Sequence, residues 1–112
     1  MTLDFGSKEE GYGRAMVVFA HPDDAEWGSS GTASKLVTEK WDVTYVVCTD
    51  GSKGTANLDI TSEQLSKIRH EEQINAGRII GLKDVVFLDY PDGYLEPSLS
   101  LRKDIAREIR KH

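Results

Sequence analysis

Three short apolar runs alternate with longer segments in which apolar residues recur at helical spacing. The runs are rich in Val, with Phe in two of them, and predict strands at residues 15–20, 43–48 and 85–89. The longer segments predict helices over about 26–40, from about 61 to 80, and from Leu101 to the end of the chain. The resulting order, β-α-β-α-β-α, predicts an α/β fold with a parallel sheet.

Local signals refine this prediction. The run "AMVVFA" is continuously apolar and predicts a first strand that is buried on both faces. In the first helix, Gly28 and Gly31 predict close packing of its first turns against the sheet. Thr61 and Gln64 have the spacing of a capping box, and Gly81 stands where a glycine would end the second helix. The inner face of that helix is predicted to carry Leu65, Ile68, Ala76, Ile79 and Ile80.

Each predicted strand is followed by a polar loop. These loops cover residues 21–26, 49–55 and 90–96. In a parallel sheet the segments that follow the strands share one edge, which is where ligands bind. We therefore expect the three loops to converge on one site.

Composition narrows the function classes. The 112-residue chain has a formal net charge of −5 and no block of Lys and Arg, so we expect no nucleic-acid partner. One cysteine, Cys48, allows no intrachain disulfide, and we expect it to be a small buried hydrophobe. No apolar run is long enough to span a bilayer. Residues 1–13 read as a flexible leader without signal-peptide features, so a cytoplasmic location is expected.

The segment "AHPDDAE" places several metal-ligand types directly after a predicted strand. His21 and Asp24 are three residues apart on a turn that enters a helix, where both can face one ion. Imidazole and carboxylate donors suit zinc or another divalent transition metal. Asp23 could then act as general base on a metal-bound water. Glu26 could belong to the same site. It could equally be a carboxylate that only stabilises the N-terminus of the helix through its negative charge.

The same segment resembles the signature of the LmbE-like, or PIG-L, deacetylase family. Other stretches at matching spacing are "TDGSKGT", "RHEEQINAGRIIGL" and "VVFLDYPDGYL", so the resemblance covers about residues 14–112. It implies a Rossmann-like, three-layer fold. It also implies a zinc hydrolase that removes the acetyl group from an N-acetylglucosamine-type substrate. Amides of sugar–lipids, sugar–inositols and sugar–malates, and chitin-derived sugars, all remain open.

The resemblance also implies roles for individual residues. His21 and Asp24 match zinc ligands, and Asp23 matches the general base. Arg69 and Asp92 match positions that contact the sugar. The third zinc ligand is a downstream His in the family and is not identifiable in this chain. Residues 14–112 are therefore expected to form the N-terminal part of a deacetylase domain whose sheet is truncated.

Neither of the other two histidines is expected to serve as a zinc ligand, and two other functions stay open. His70 is expected on the surface of a helix, and His112 at a frayed chain end. One alternative is an inactive, naturally short family member that acts by association, because an unpaired apolar sheet edge favours homo-oligomers. The other is a receiver-like domain with Asp89 as phosphoacceptor after the third strand.

Overall fold

A computed structural model describes residues 13–22, 24–52 and 59–112. It confirms the predicted α/β fold with a parallel sheet. The elements in chain order are β1 (Arg14–Phe19), α1 (Asp24–Gly28), α2 (Ser30–Thr38), β2 (Asp42–Thr49), α3 (Ser62–Ile80), β3 (Asp84–Tyr90) and α4 (Leu99–Lys111). Of the predicted leader, only Gly13 lies within the described residues. It is buried, and its carbonyl accepts a hydrogen bond from the N–H of Asp42 at 2.7 Å.

The sheet has the order β1-β2-β3, and both strand pairs are parallel. Every residue of β2 after Asp42 is buried, because this strand lies between the other two. The prediction that the first strand is buried on both faces is wrong. In the described part of the chain β1 pairs only with β2, so its residues are at most half-buried and Val18 is 41% exposed.

The predicted first helix is two helices that break at Ser29. The backbone of Ser29 has φ −137° and ψ −3°, outside the helical region. The run Gly28-Ser29-Ser30-Gly31 has low helix propensity, which explains a break at this point. The predicted close packing of Gly28 and Gly31 is also wrong, because a Cβ built on either residue meets no atom within 4 Å.

The second predicted helix begins and ends as its signals indicate. Thr61 and Gln64 form a reciprocal capping box, and Gly81 ends α3 in the left-handed conformation at φ 91°. The predicted inner face is wrong in part. Ile68 is 43% exposed and Ile79 is 88% exposed. The buried residues of α3 are Leu65, Gln73 and Gly77.

The position of Gly77 explains which face of α3 is buried. A Cβ at Gly77 would lie 3.0 Å from Cγ2 of Val85 in β3, so the helix approaches the strand closely at this residue. Residues one turn apart on the same side of the helix, including Gln73, are then turned inward. Two Ile residues consequently lie on the outer side, and the apolar pattern alone did not indicate this.

The core lies between the sheet and α1 and α2. Its fully buried members are Ala25, Ala33, Leu36, Val43 and Tyr45. The ring of Phe19 packs edge-on against Tyr45, with centroids 5.4 Å apart. These contacts fix α1, and with it the turn that precedes it, over the end of β1.

The last helix is anchored at two points. The Tyr90 hydroxyl donates a hydrogen bond to Asp104, and Leu101 is buried. At the other end, His112 is only 14% exposed and lies 3.3 Å from Glu108, so the expectation of a frayed end is wrong.

Among the described residues, no helix is both long and apolar enough to cross a membrane.

Candidate functional site

The three loops that follow the strands meet at one edge of the sheet, as predicted. His21 follows β1, Asp50 follows β2 and Asp92 follows β3. The Nε2 atom of His21 lies 3.1 Å from Oδ1 of Asp92. The backbone N–H of Asp92 donates to Oδ1 of Asp50 at 3.2 Å. Residues from three separate loops are therefore in contact.

His21 and Asp24 form a compact unit at the start of α1. The N–H of His21 donates to Oδ2 of Asp24 at 3.0 Å, and the Asp24 N–H donates back to the His21 carbonyl at 3.2 Å. The same Oδ2 lies 3.4 Å from Nδ1 of the imidazole, and the two side chains are 51% and 49% exposed. Imidazole and carboxylate thus face each other at a position that solvent and ligands can reach.

Asp92 is the buried member of the site. Its residue is 7% exposed, and it lies in the turn "PDGY", where the Tyr94 N–H donates to the Pro91 carbonyl at 3.2 Å. Gly93 has φ 83° and takes up the left-handed conformation that this turn requires. The turn therefore directs the Asp92 carboxylate inward, toward His21.

Asp50 joins the loops after β2 and β3. Its Oδ1 accepts hydrogen bonds from the N–H of Ser52 at 3.0 Å and from the N–H of Asp92. Burial alone would raise the pKa of Asp50, but these bonds and one from the Ser52 side chain outweigh it and lower the pKa. The sequence analysis gave Asp50 no role. The available signal was Asp-Gly after a strand, which is typical of a side chain that bonds its own loop.

Arg69 reaches the same edge from α3. A Cβ built on Gly51 would lie 3.0 Å from Cγ of Pro22 and 3.3 Å from Cγ of Arg69, so the Arg69 stem passes over Gly51 beside the first loop. The guanidinium Nη1 lies 3.2 Å from Oε2 of Glu72, and the side chain is 27% exposed. The structure thus brings Arg69 to the loops that carry His21 and Asp50.

The predicted base, Asp23, lies outside the described residues, and its role stays a prediction. The side chains of Glu26 and Trp27 are likewise not described. Cys48 is buried as predicted, and burial raises the pKa of its thiol.

His70 belongs to a separate pair that the sequence analysis missed. Its Nε2 lies 2.7 Å from Oδ1 of Asp89, and its ring stacks on Phe87 with centroids 4.0 Å apart. His70 is therefore not a simple helix-surface residue. Asp89 has φ 58° where the pairing of β3 with β2 is irregular, and local sequence patterns do not indicate such an irregularity.

The described residues fit a metal ion only in part. His21 and Asp24 offer imidazole and carboxylate donors side by side, the chemistry that zinc accepts. A catalytic zinc site needs three protein ligands. Across residues 13–22, 24–52 and 59–112, no group of three His, Cys, Asp or Glu side chains is arranged to hold an ion. Among the described residues, His21 and Asp24 thus offer two of the three donors that a catalytic zinc site needs.

The sequence profile of the PIG-L family, described as GlcNAc-PI de-N-acetylase, matches residues 16–112. Diacetylchitobiose deacetylase from Thermococcus kodakarensis is 36% identical over 98 residues, which are 88% of this chain and 37% of the relative. A Bacillus anthracis protein named probable N-acetyl-alpha-D-glucosaminyl L-malate deacetylase 2 is 36% identical over 84 residues, 72% of this chain and 37% of that protein.

The fold has a close counterpart among solved structures. N,N'-diacetylchitobiose deacetylase from Pyrococcus horikoshii, solved with an inhibitor, superposes with a TM-score of 0.87 at 33% identity. The match covers 91% of this chain and 38% of that one. This chain therefore spans well under half the length of the relatives that it matches.

Proposed function

The chain belongs to the PIG-L family, and we propose from this premise that it carries a metal-dependent deacetylase site. The reaction is hydrolysis of the acetamide of an N-acetylglucosamine-type sugar by a metal-activated water. The observation that carries the proposal is the contact of His21 with Asp24 and Asp92 where three loops meet. This position, at the carboxyl ends of parallel strands, is where such sheets bind ligands.

Zinc is the proposed metal, with His21 and Asp24 as two of its ligands. Both side chains are half exposed and adjacent, which supports access for an ion. When bound, zinc would lower the pKa of a bound water and polarise the substrate carbonyl. The first of these effects makes amide hydrolysis feasible near neutral pH.

The remaining roles belong to side chains around this pair. Asp23 is proposed to accept the proton of the attacking water, the role that the family resemblance implies. Arg69 is proposed to bind sugar hydroxyls through its guanidinium, and its stem passes over Gly51 beside the first loop. A proton acceptor and a sugar-binding group must both face the substrate. The position of Arg69 at the edge where the loops meet supports its proposed contact with the sugar.

The proposed substrate class follows from what the named relatives have in common. Diacetylchitobiose and N-acetyl-α-D-glucosaminyl L-malate both contain an N-acetylglucosamine unit. The shared element is an acetamide on a pyranose ring. We therefore propose that the site takes this unit and that the attached group differs between relatives.

The direct test is acetate release from N,N'-diacetylchitobiose by the 112-residue chain supplied with zinc. We expect release that stops with EDTA and is lost in His21→Ala and Asp23→Ala, with His70→Ala as the matched control that retains it. Asp23→Ala should still bind zinc. The proposal fails if the wild-type chain with zinc releases no acetate above the EDTA control. Release that survives Asp23→Ala would refute Asp23 as the base.

A second candidate function is association through β1, and the open edge of this strand favours it. Among the described residues β1 pairs with β2 alone, Val18 is 41% exposed, and beyond Arg14 the strand carries no charged residue or Pro of the kind that protects edge strands. We expect the chain to self-associate in a concentration-dependent way, with Val18→Lys as the weakening variant. Light scattering that gives a monomer mass at all concentrations would exclude it.

The receiver-like alternative loses its basis with family membership. Asp89, its proposed phosphoacceptor, already lies 2.7 Å from the imidazole of His70.

A further inference from the structure

Both ring nitrogens of His21 face carboxylates, and the two carboxylates differ in their surroundings. Nδ1 lies 3.4 Å from Oδ2 of Asp24, whose side chain is 49% exposed. Nε2 lies 3.1 Å from Oδ1 of Asp92, whose side chain is 9% exposed. A neutral imidazole carries one N–H and one lone pair, so only one of these carboxylates can accept its proton.

We infer that Asp92 is a positioning residue that holds His21 in the tautomer with the proton on Nε2. The inference deepens the proposed function and rests on it, because it assigns Nδ1, on the side of Asp24, as the atom left free to ligate the metal. It also gives Asp92 a different role from the sugar contact that the family resemblance implies.

Distance and burial both favour Asp92 over Asp24 as the acceptor. The Nε2 contact is 0.3 Å shorter than the Nδ1 contact, from 3.1 Å against 3.4 Å. A buried carboxylate is screened less by water, so its hydrogen bond to an N–H is stronger.

The backbone holds Asp92 in place for this role. Its N–H donates to Oδ1 of Asp50 at 3.2 Å, and the turn that carries it is closed by the hydrogen bond from Tyr94 to Pro91. Asp92 is therefore tied to the loops after both β2 and β3. Carboxylates that accept the second N–H of a metal-binding His fix its tautomer and orientation, and their loss typically costs about 10–100-fold in metal affinity.

The test reads the tautomer of His21 in the metal-free chain, by long-range ¹H–¹⁵N correlation on ¹⁵N-histidine-labelled protein. The spectra are recorded at about pH 8.5, because a tautomer is defined only for a neutral imidazole. We expect Nε2–H for His21 in the wild type and a mixture of tautomers in Asp92→Ala. A wild-type His21 that carries its proton on Nδ1 overturns the inference, and this result does not depend on any variant.

The matched control is Asp89→Ala. Asp89 faces Nε2 of His70 at 2.7 Å, so its removal should change the signals of His70 and leave those of His21 unchanged. Asp92→Ala should do the reverse and weaken zinc binding by about 10–100-fold. If Asp92→Ala leaves the His21 tautomer unchanged in a folded chain, the inference is wrong.

The role of Asp92 and the proposed deacetylase function can be refuted independently of each other. A chain with Nε2–H on His21 that binds no zinc and releases no acetate supports the role of Asp92 and refutes the proposed function. A chain that releases acetate with zinc but carries Nδ1–H on His21 does the opposite.

Discussion

The carboxylate of Asp50 lies 3.2 Å from the backbone nitrogen of Asp92, although 42 residues separate the two positions. This hydrogen bond joins the loop after β2 to the loop after β3 at the edge where His21 lies. Asp50 is charged when it accepts this bond and the bonds from Ser52, which lower its pKa. The position of Asp92 beside His21 therefore depends on the ionisation of Asp50.

This coupling predicts a pH dependence of stability. The pKa of Asp50 is lower in the folded chain than its unfolded value of about 3.9. The ionised group therefore stabilises the fold above that pH, and this contribution is lost as the pH falls through the folded-state pKa. Asp50→Asn should lower the free energy of unfolding at pH 7 by on the order of 1 kcal/mol.

Urea unfolding of the wild type and Asp50→Asn between pH 3 and 7 measures this effect. The difference between the two chains should narrow as the pH falls below about 4, because the Asp50 carboxyl is protonated first in the unfolded chain and then, at lower pH, in the folded chain. A difference that stays constant over the whole range would contradict the account of Asp50.

A second prediction concerns the end of α2. Lys40 has φ 70°, and its N–H and that of Trp41 bond the carbonyls of Val37 and Leu36 as in a glycine-ended helix. A side chain is strained there, so Lys40→Gly should raise the free energy of unfolding by about 0.5–1 kcal/mol. Gly81→Ala is the opposite control, since at φ 91° its new Cβ would lie 3.0 Å from Val37. Equal denaturation midpoints for wild type and Lys40→Gly would refute the prediction.

A third prediction tests the close approach of α3 to β3. Gly77→Ala places a Cβ 3.0 Å from Val85 and 3.2 Å from Leu82, so it should destabilise the chain by about 1–3 kcal/mol. Alanine is otherwise the better helix former by about 1 kcal/mol. Gly31→Ala is the matched control, because no atom lies within 4 Å of its Cβ and the change should be neutral or stabilising. Thermal unfolding that ranks the two variants equally would show that Gly77 does not set the packing of α3.

A fourth prediction concerns substrate binding by Arg69. If its guanidinium binds sugar hydroxyls, Arg69→Ala loses charge-assisted hydrogen bonds and should raise KM for the amidosugar by about 10–100-fold. Zinc binding should be unchanged, because Arg69 is not a ligand. The control is Arg78→Ala, which removes the same charge from an exposed residue in the last turn of the same helix and should leave KM unchanged. Equal KM values for wild type and Arg69→Ala would remove Arg69 from the site.

Much of the fold could be predicted because its signals are local. Runs of β-branched residues indicated all three strands, and Thr61, Gln64 and Gly81 marked the ends of α3. The convergence of the three loops followed from strand order alone. What local pattern could not give was burial, since the exposure of Val18 depends on which strands flank β1 in the sheet.

The contacts of the site were predictable only in part. The segment around His21 and Asp24 indicated metal chemistry by residue type and spacing. The role of Asp50 and the pair of His70 with Asp89 depend on long-range geometry, one across two loops and one at an irregular strand pairing. No spacing rule within the chain connects such partners.

The central claim is that His21 and Asp24 bind zinc, and equilibrium dialysis of the metal-free chain against zinc tests it most directly. We predict saturable binding that approaches about one zinc per chain, is lost in His21→Ala and Asp24→Ala, and persists in His70→Ala. A folded wild-type chain that takes up no zinc, or a His21→Ala chain that binds zinc as tightly as the wild type, would contradict the account.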